Sequence, residues 1–169
     1  MKSMLVLICG LPATGKSTIA RKLAKKINAV ILRTDKIRKE IFPSPTYTEE
    51  EKALVYKITF LIAKYLLNAK VNVIIDGTFY KRDLRKEIYK IGEQTKTKLF
   101  IIECVAPEEI IKARMYRRRL RKSLSDANFE VYKKIKKQFE PIHREHLVID
   151  TRKPIKENME EIYRFLAYS

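Results

Sequence analysis

Cysteine is nearly missing from this chain of 169 residues, which has only Cys9 and Cys104. Both close apolar runs, so they read as buried free thiols at strand ends in a reducing compartment. Two isolated cysteines do not make a metal site. Histidine is as scarce. His143 and His146 have only Glu145 near them at metal spacing, which suits ordinary surface or core histidines better than a metal pair. No apolar run reaches the roughly 18 residues of a membrane span. Lys2 precedes an apolar stretch, but no small-residue cleavage site follows it, so the stretch reads as a first strand rather than a signal peptide. No linker, repeat or low-complexity segment interrupts the chain, and the expectation is a single domain over 1–169 in the cytoplasm. Acidic residues are outnumbered: 20 Asp plus Glu stand against 37 Lys plus Arg, a net charge of +17. That excess, spread along the chain, predicts attraction to a polyanion such as RNA or DNA; plain solubility is the alternative.

Met4 to Cys9 is an unbroken apolar run, the pattern of a strand buried on both faces. Gly10 to Ser17 then reads G-x-x-x-x-G-K-S, the phosphate-binding P-loop pattern. Ile19, Ala20, Leu23, Ala24 and Ile27 follow at helical spacing. The strand before and the helix after are the context that gives the pattern meaning. Gly10 and Gly15 let the backbone curl with its N–H groups pointing inward, and the helix adds the positive end of its dipole. Gly10, Ala13, Thr14, Gly15, Lys16, Ser17 and Thr18 are therefore expected to hold the phosphates of ATP. Lys16 can reach the β- and γ-phosphates, and the Ser17 hydroxyl can bind Mg²⁺.

Strand and helix patterns alternate through the rest. Strands are expected at 4–9, 29–33, 71–76, 99–105 and 146–150. Helices are expected at 16–27, 35–41, from Thr48 to Asn68, 83–94, from Pro107 through the arginines, from a Ser125–Asp126 cap to Phe139, and from Pro154 to Leu166. The long third helix carries Leu54, Ile58, Leu61, Ile62 and Tyr65 on one face. Strands joined by helices imply parallel pairing, so the fold class is a doubly wound α/β domain with a five-stranded parallel sheet. Ligands in such sheets sit at the carboxyl ends of the strands. The candidates there are Gly10–Ser17, Asp35, Asp76 and the loop after Asp150.

Asp35 follows the second strand, with Arg38 one helical turn on. A carboxylate near the γ-phosphate can take the proton of an attacking hydroxyl, and an arginine beside it can hold an anionic acceptor. The alternative is a helix-capping aspartate and a surface arginine. Asp76 closes Val-Ile-Ile-Asp, the Walker B arrangement in which an acid orients Mg²⁺. Arg114, Arg118 and Arg121 share a helix face by spacing, and Arg117 and Arg119 lie beside them. Arginines this close repel unless an anion lies between them, which suits a short lid that neutralises the transferring phosphoryl group. Arg118 is the first candidate and Arg114 the second. Arg114, Thr151 and Arg152 are also candidates for the adenine side. Phe79 and Tyr80 could stack on an acceptor base or simply pack in the core.

Assembled, these residues resemble the small P-loop kinases of the AAA_33 type over nearly the whole chain. That group includes polynucleotide 5′-hydroxyl kinases and the kinase domain of archaeal seryl-tRNA kinases. The features in register are Gly10–Thr18, the Asp35/Arg38 pair, Ile75–Phe79 with Arg82 and Arg85, Arg114/Arg118, and Ser125–Ala127. The resemblance implies a nucleoside-kinase-like fold with ATP and Mg²⁺ as cofactors. It implies Asp35 as general base, Arg38 on the acceptor, Lys16 and Arg118 on the transferring phosphate, and Asp76 positioning either the acceptor or the metal. The seryl-tRNA kinases carry a further C-terminal tRNA-binding domain, for which these 169 residues leave no room. Three functions compete: a kinase for a nucleic-acid hydroxyl, a kinase for a small hydroxylated metabolite or nucleotide, and a nucleotide-dependent binding module. No Asn-Lys-x-Asp guanine-reading element is present, and Asp35 favours transfer.

Overall fold

The computed structural model describes residues 3–120 and 128–168. Arg121, Ser125, Asp126 and Ala127 lie outside the described residues. The elements in order are β1 Met4–Cys9, α1 Lys16–Ile27, β2 Ala29–Arg33, α2 Thr34–Ile41, α3 Glu49–Asn68, β3 Asn72–Asp76, α4 Arg82–Gln94, β4 Lys98–Val105, α5 Glu108–Leu120, α6 Phe129–Gln138, β5 Leu147–Asp150 and α7 Ile155–Tyr168. The strands form one five-stranded sheet in the order β2-β3-β1-β4-β5, and every pairing is parallel. The sheet is the doubly wound one that the alternation of apolar runs predicts.

β1 is the central strand because it can be covered on both sides. Leu5, Val6, Leu7, Ile8 and Cys9 are all fully buried. Val6 and Ile8 face α1 and α7 through Ile19, Leu23, Met159 and Ile162. Leu5 and Leu7 face the opposite layer of Ala63, Leu67, Ile88 and Ile91 from α3 and α4. A third cluster joins Ala13 of the P-loop to Ile111 and Met115 of α5 and Tyr132 of α6. Cys9 and Cys104 are free and buried, and desolvation pushes the Cys104 thiol up to about 12, so neither is a reactive thiolate.

Three local expectations change. The line of α3 that meets the sheet is Glu51, Val55, Thr59, Ala63 and Leu67. Small Ala63 and Thr59 let the helix approach closely, and the Leu54–Tyr65 face points away from the sheet. Thr48 does cap α3, its hydroxyl accepting from Glu51 N at 3.2 Å. The Glu51 carboxylate leaves the capping box: it accepts from Thr46 N at 2.7 Å and lies 3.2 Å from Arg38 Nε. Finally, α6 is capped by Asn128, whose Oδ1 accepts from Val131 N at 3.0 Å.

Candidate active site

The carboxyl ends of β1, β2 and β3 open on one cavity of about 750 Å³. The P-loop forms its floor. Gly10 has φ +137°, and a Cβ there would lie 2.3 Å from the Cys104 carbonyl oxygen, so no other residue fits this turn. Gly15 has φ +87° and packs against Thr151, where a Cβ would meet the Thr151 side chain at 3.3 Å. Ala13 is also left-handed, at φ 61°. These curls leave the N-terminus of α1, which has no side-chain cap, open toward the loop. An uncapped helix start behind a glycine turn is a fitting cradle for an anion.

Lys16 is folded inward. Its Nζ donates to the Gly10 carbonyl at 3.0 Å and the Leu11 carbonyl at 2.8 Å. Desolvation lowers its pKa, while Asp76, and less strongly Asp35, oppose that. Ser17 Oγ donates to Asp76 Oδ2 at 3.0 Å. Asp76 is buried, and Arg33 Nε lies 3.4 Å from the same oxygen. Burial raises the Asp76 pKa, partly offset by Lys16, Arg33 and the Ser17 hydroxyl. A hydroxyl and a carboxylate in contact, beside a lysine, form an oxygen donor pair that suits Mg²⁺. Among the described residues no group of three or more His, Cys, Asp or Glu could hold a metal on protein ligands alone. That suits an ion that takes its other ligands from phosphates and water.

Across the cavity stand Asp35 and Arg38. Thr34 rather than Asp35 begins α2, so Asp35 lies in the first turn with its carboxylate half-exposed on the cavity wall. Arg38 is buried, 3.8 Å from Asp35 Oδ1 through Nη1 and 3.2 Å from Glu51 through Nε. The Tyr47 ring covers it at 4.8 Å, from a backbone with φ 58°. The surface-arginine alternative for Arg38 is thereby ruled out. Lys52 and, from α6, Lys134 and Gln138 line the same side.

Arg118 also lines this cavity. Burial first, then Arg33, lower its pKa, while Asp35 and Asp76 raise it. Arg114 points elsewhere. Its guanidinium donates to the Thr151 hydroxyl at 2.8 Å, the Thr151 carbonyl at 2.9 Å and the Ala13 carbonyl at 3.2 Å. With Thr18, Arg117 and Lys153 it borders a second cavity of about 430 Å³ behind the P-loop. Arg152 pairs with Asp150 at 2.6 Å and does not line either cavity. Phe79 is core, packed edge-on against Tyr56 at 5.3 Å, so it cannot stack on a ligand; Tyr80 lines the main cavity.

The sequence model of the AAA domain family AAA_33 matches residues 5–142. The chain belongs to the AAA_33 family. An L-seryl-tRNA(Sec) kinase of Methanococcus maripaludis is 30% identical over 66% of this chain and 44% of its own length. The chain spans less than half the length of the curated relatives it matches. Among solved structures, the APS kinase CysC of Mycobacterium tuberculosis, in complex with AMPPNP and APS, superposes with a TM-score of 0.79 at 17% identity, over 98% of both chains. A chain of the Pnkp1/Rnl/Hen1 RNA repair complex superposes at 0.68 with 22% identity, over 81% of this chain and 44% of that one. The two solved structures share the fold of this chain.

Two site residues escaped the sequence reading. Arg33 is the residue paired with Asp76 in the β2–β3 register, and its position at the carboxyl end of the second strand was the available signal. Glu51 was legible only as part of a helix cap. Its contact with Arg38 spans the loop between α2 and α3 and has no periodic signature.

Proposed function

We propose that this chain, acting as one kinase domain, moves the γ-phosphate of ATP to a hydroxyl group on a nucleic acid. One observation carries the reading: Asp35 and Arg38 face Lys16, Ser17 and Asp76 across a single cavity. The acceptor side is basic, with Arg38, Lys52 and Lys134, which suits an acceptor that carries phosphate. The likeness to the L-seryl-tRNA(Sec) kinase and to the RNA repair complex supports a nucleic-acid acceptor.

In this reading the glycine loop and α1 bind the phosphates, and Lys16 exchanges its two carbonyl partners for the β- and γ-phosphates. Asp35 takes the acceptor's hydroxyl proton while that oxygen bonds to the γ-phosphorus and the bond to the β-phosphate oxygen breaks. Arg118 meets the charge that develops on the transferring oxygens, and Arg38 holds the acceptor's anionic group. Ser17 and Asp76 would hold Mg²⁺, which neutralises phosphate charge when bound. Arg114 acts on the nucleotide side by fixing Ala13 and Thr151, and its second cavity is the place for the base.

The second reading is a kinase for a small hydroxylated metabolite or nucleotide. It rests on the cavity's volume, which lies within the range of small-molecule sites, and on the tyrosines Tyr47, Tyr56 and Tyr80 in its wall. Transfer from labelled ATP to a panel of nucleosides, sugars and oligonucleotides separates the two. Oligonucleotide labelling is the expected result, and labelling of a small acceptor alone overturns the first reading. Asp35→Asn is expected to lower transfer by roughly 10²–10⁴-fold with ATP binding unchanged. Weaker ATP binding with normal transfer would refute the role given to Asp35.

A further inference from the structure

Among the described residues, the outer face of α3 is apolar and exposed. Leu54 is 42% exposed, Leu61 53%, Ile62 36% and Tyr65 72%. Leu54, Ile58, Leu61 and Tyr65 follow one another at steps of four, three and four residues, the seam of a heptad helix. A contiguous apolar strip of this kind on a folded chain marks an interaction surface. Lys57 and Lys64 flank the seam on one side, each one residue before Ile58 and Tyr65. Between Lys52 and Asn68 the helix has no acidic residue.

That charge pattern selects the occupant. A second copy of the chain would bring the same lysines to the seam in either direction, and its own seam segment 52–68 has no acid to meet them. Each copy also has a net charge of +17, which opposes self-association. A nucleic acid offers phosphate to the lysines and a base to the Tyr65 ring, but nothing to cover the aliphatic row of Leu54, Ile58 and Leu61. We propose that α3 docks a helix of an acidic partner protein, with an apolar heptad seam against Leu54, Ile58, Leu61 and Tyr65, and glutamates or aspartates against Lys57 and Lys64. This surface is independent of the phosphate chemistry, because the face that carries it is turned away from the sheet and lines neither cavity.

The test uses two labelled synthetic helices about four heptads long, both with leucine seams, one flanked by glutamate and its twin by lysine. Binding to the full chain is read by fluorescence anisotropy. The glutamate-flanked helix is expected to bind, and Leu61→Glu, at an exposed position, is expected to weaken it about tenfold or more. The double variant Lys57→Glu/Lys64→Glu is expected to reverse the preference toward the lysine-flanked twin. Leu54→Glu repeats the test at a second exposed position, and circular dichroism checks that each variant is folded. No binding of the acidic helix, or binding that Leu61→Glu leaves unchanged, overturns the proposal. So does a wild-type dimer that sedimentation shows dissociating in Leu61→Glu. Leu61-dependent binding to phosphatidylserine vesicles, with peptide binding unaffected by the same substitution, overturns it in favour of a membrane surface.

Discussion

Gly10 shows how much one position can demand. Its φ of +137° and the Cys104 oxygen 2.3 Å from a built Cβ leave no room for alanine. Gly10→Ala is expected to lose nucleotide binding and lower stability by about 1–3 kcal/mol, measured by calorimetric titration and thermal unfolding. A variant that binds ATP normally would show that the turn is not the phosphate cradle. Asp150 gives a prediction in pH. Side-chain and backbone hydrogen bonds from Arg152 pull its carboxyl from the ordinary 3.8 down to about 2. A depressed carboxyl pKa stabilises the fold above the unfolded value, and that stabilisation is lost as pH falls through about 2. Arg152→Ala should therefore move acid unfolding to higher pH; an unchanged midpoint would mean the exposed pair contributes nothing. Lys16, Ser17, Asp76, Asp35 and Arg38 were all legible in the sequence, because motif spacing and strand ends fix where such residues go. Arg33 and Glu51 were not, because each acquires its partner only when separate elements pack together.

At the scale of elements, the sheet was readable because its strands are apolar runs bounded by polar turns. α3 was readable as a helix but not in its orientation. It is apolar on two faces, so periodicity alone could not say which one meets the sheet. The face with Glu51, Thr59 and Ala63 won because small side chains allow close approach and the one carboxylate on it is ion-paired with Arg38. α6 supplies the far wall of the main cavity and depends on its ends. Asn128→Ala is expected to cost about 1 kcal/mol, read by chemical denaturation, and to raise the acceptor KM more than the ATP KM. The other end is clipped by Arg85, fully buried, which donates to the carbonyls of Phe79 at 2.7 Å, Glu140 at 2.7 Å and Pro141 at 3.0 Å. Arg85→Met leaves three carbonyls without their donor. A loss of about 3 kcal/mol or more in thermal unfolding is expected, and a neutral result would remove Arg85 as the clip between the β3 loop and α6.

For the whole molecule, the decisive quantity is the net charge of +17. If the acceptor is a nucleic acid, affinity should fall by roughly 10²–10³-fold between about 50 and 200 mM salt, as measured by filter binding. Affinity that ignores salt would turn the basic surface toward solubility alone. At this scale, too, Thr151 has a consequence. Its hydroxyl donates to the Thr14 carbonyl at 2.8 Å and accepts from Arg114, so a single side chain joins the exit of β5, the glycine loop and the middle of α5. A tug on any one of the three is felt by the other two. Occupancy of the cradle and the posture of the arginine-bearing helix would then rise and fall together, and Thr151→Val should let each drift without the other.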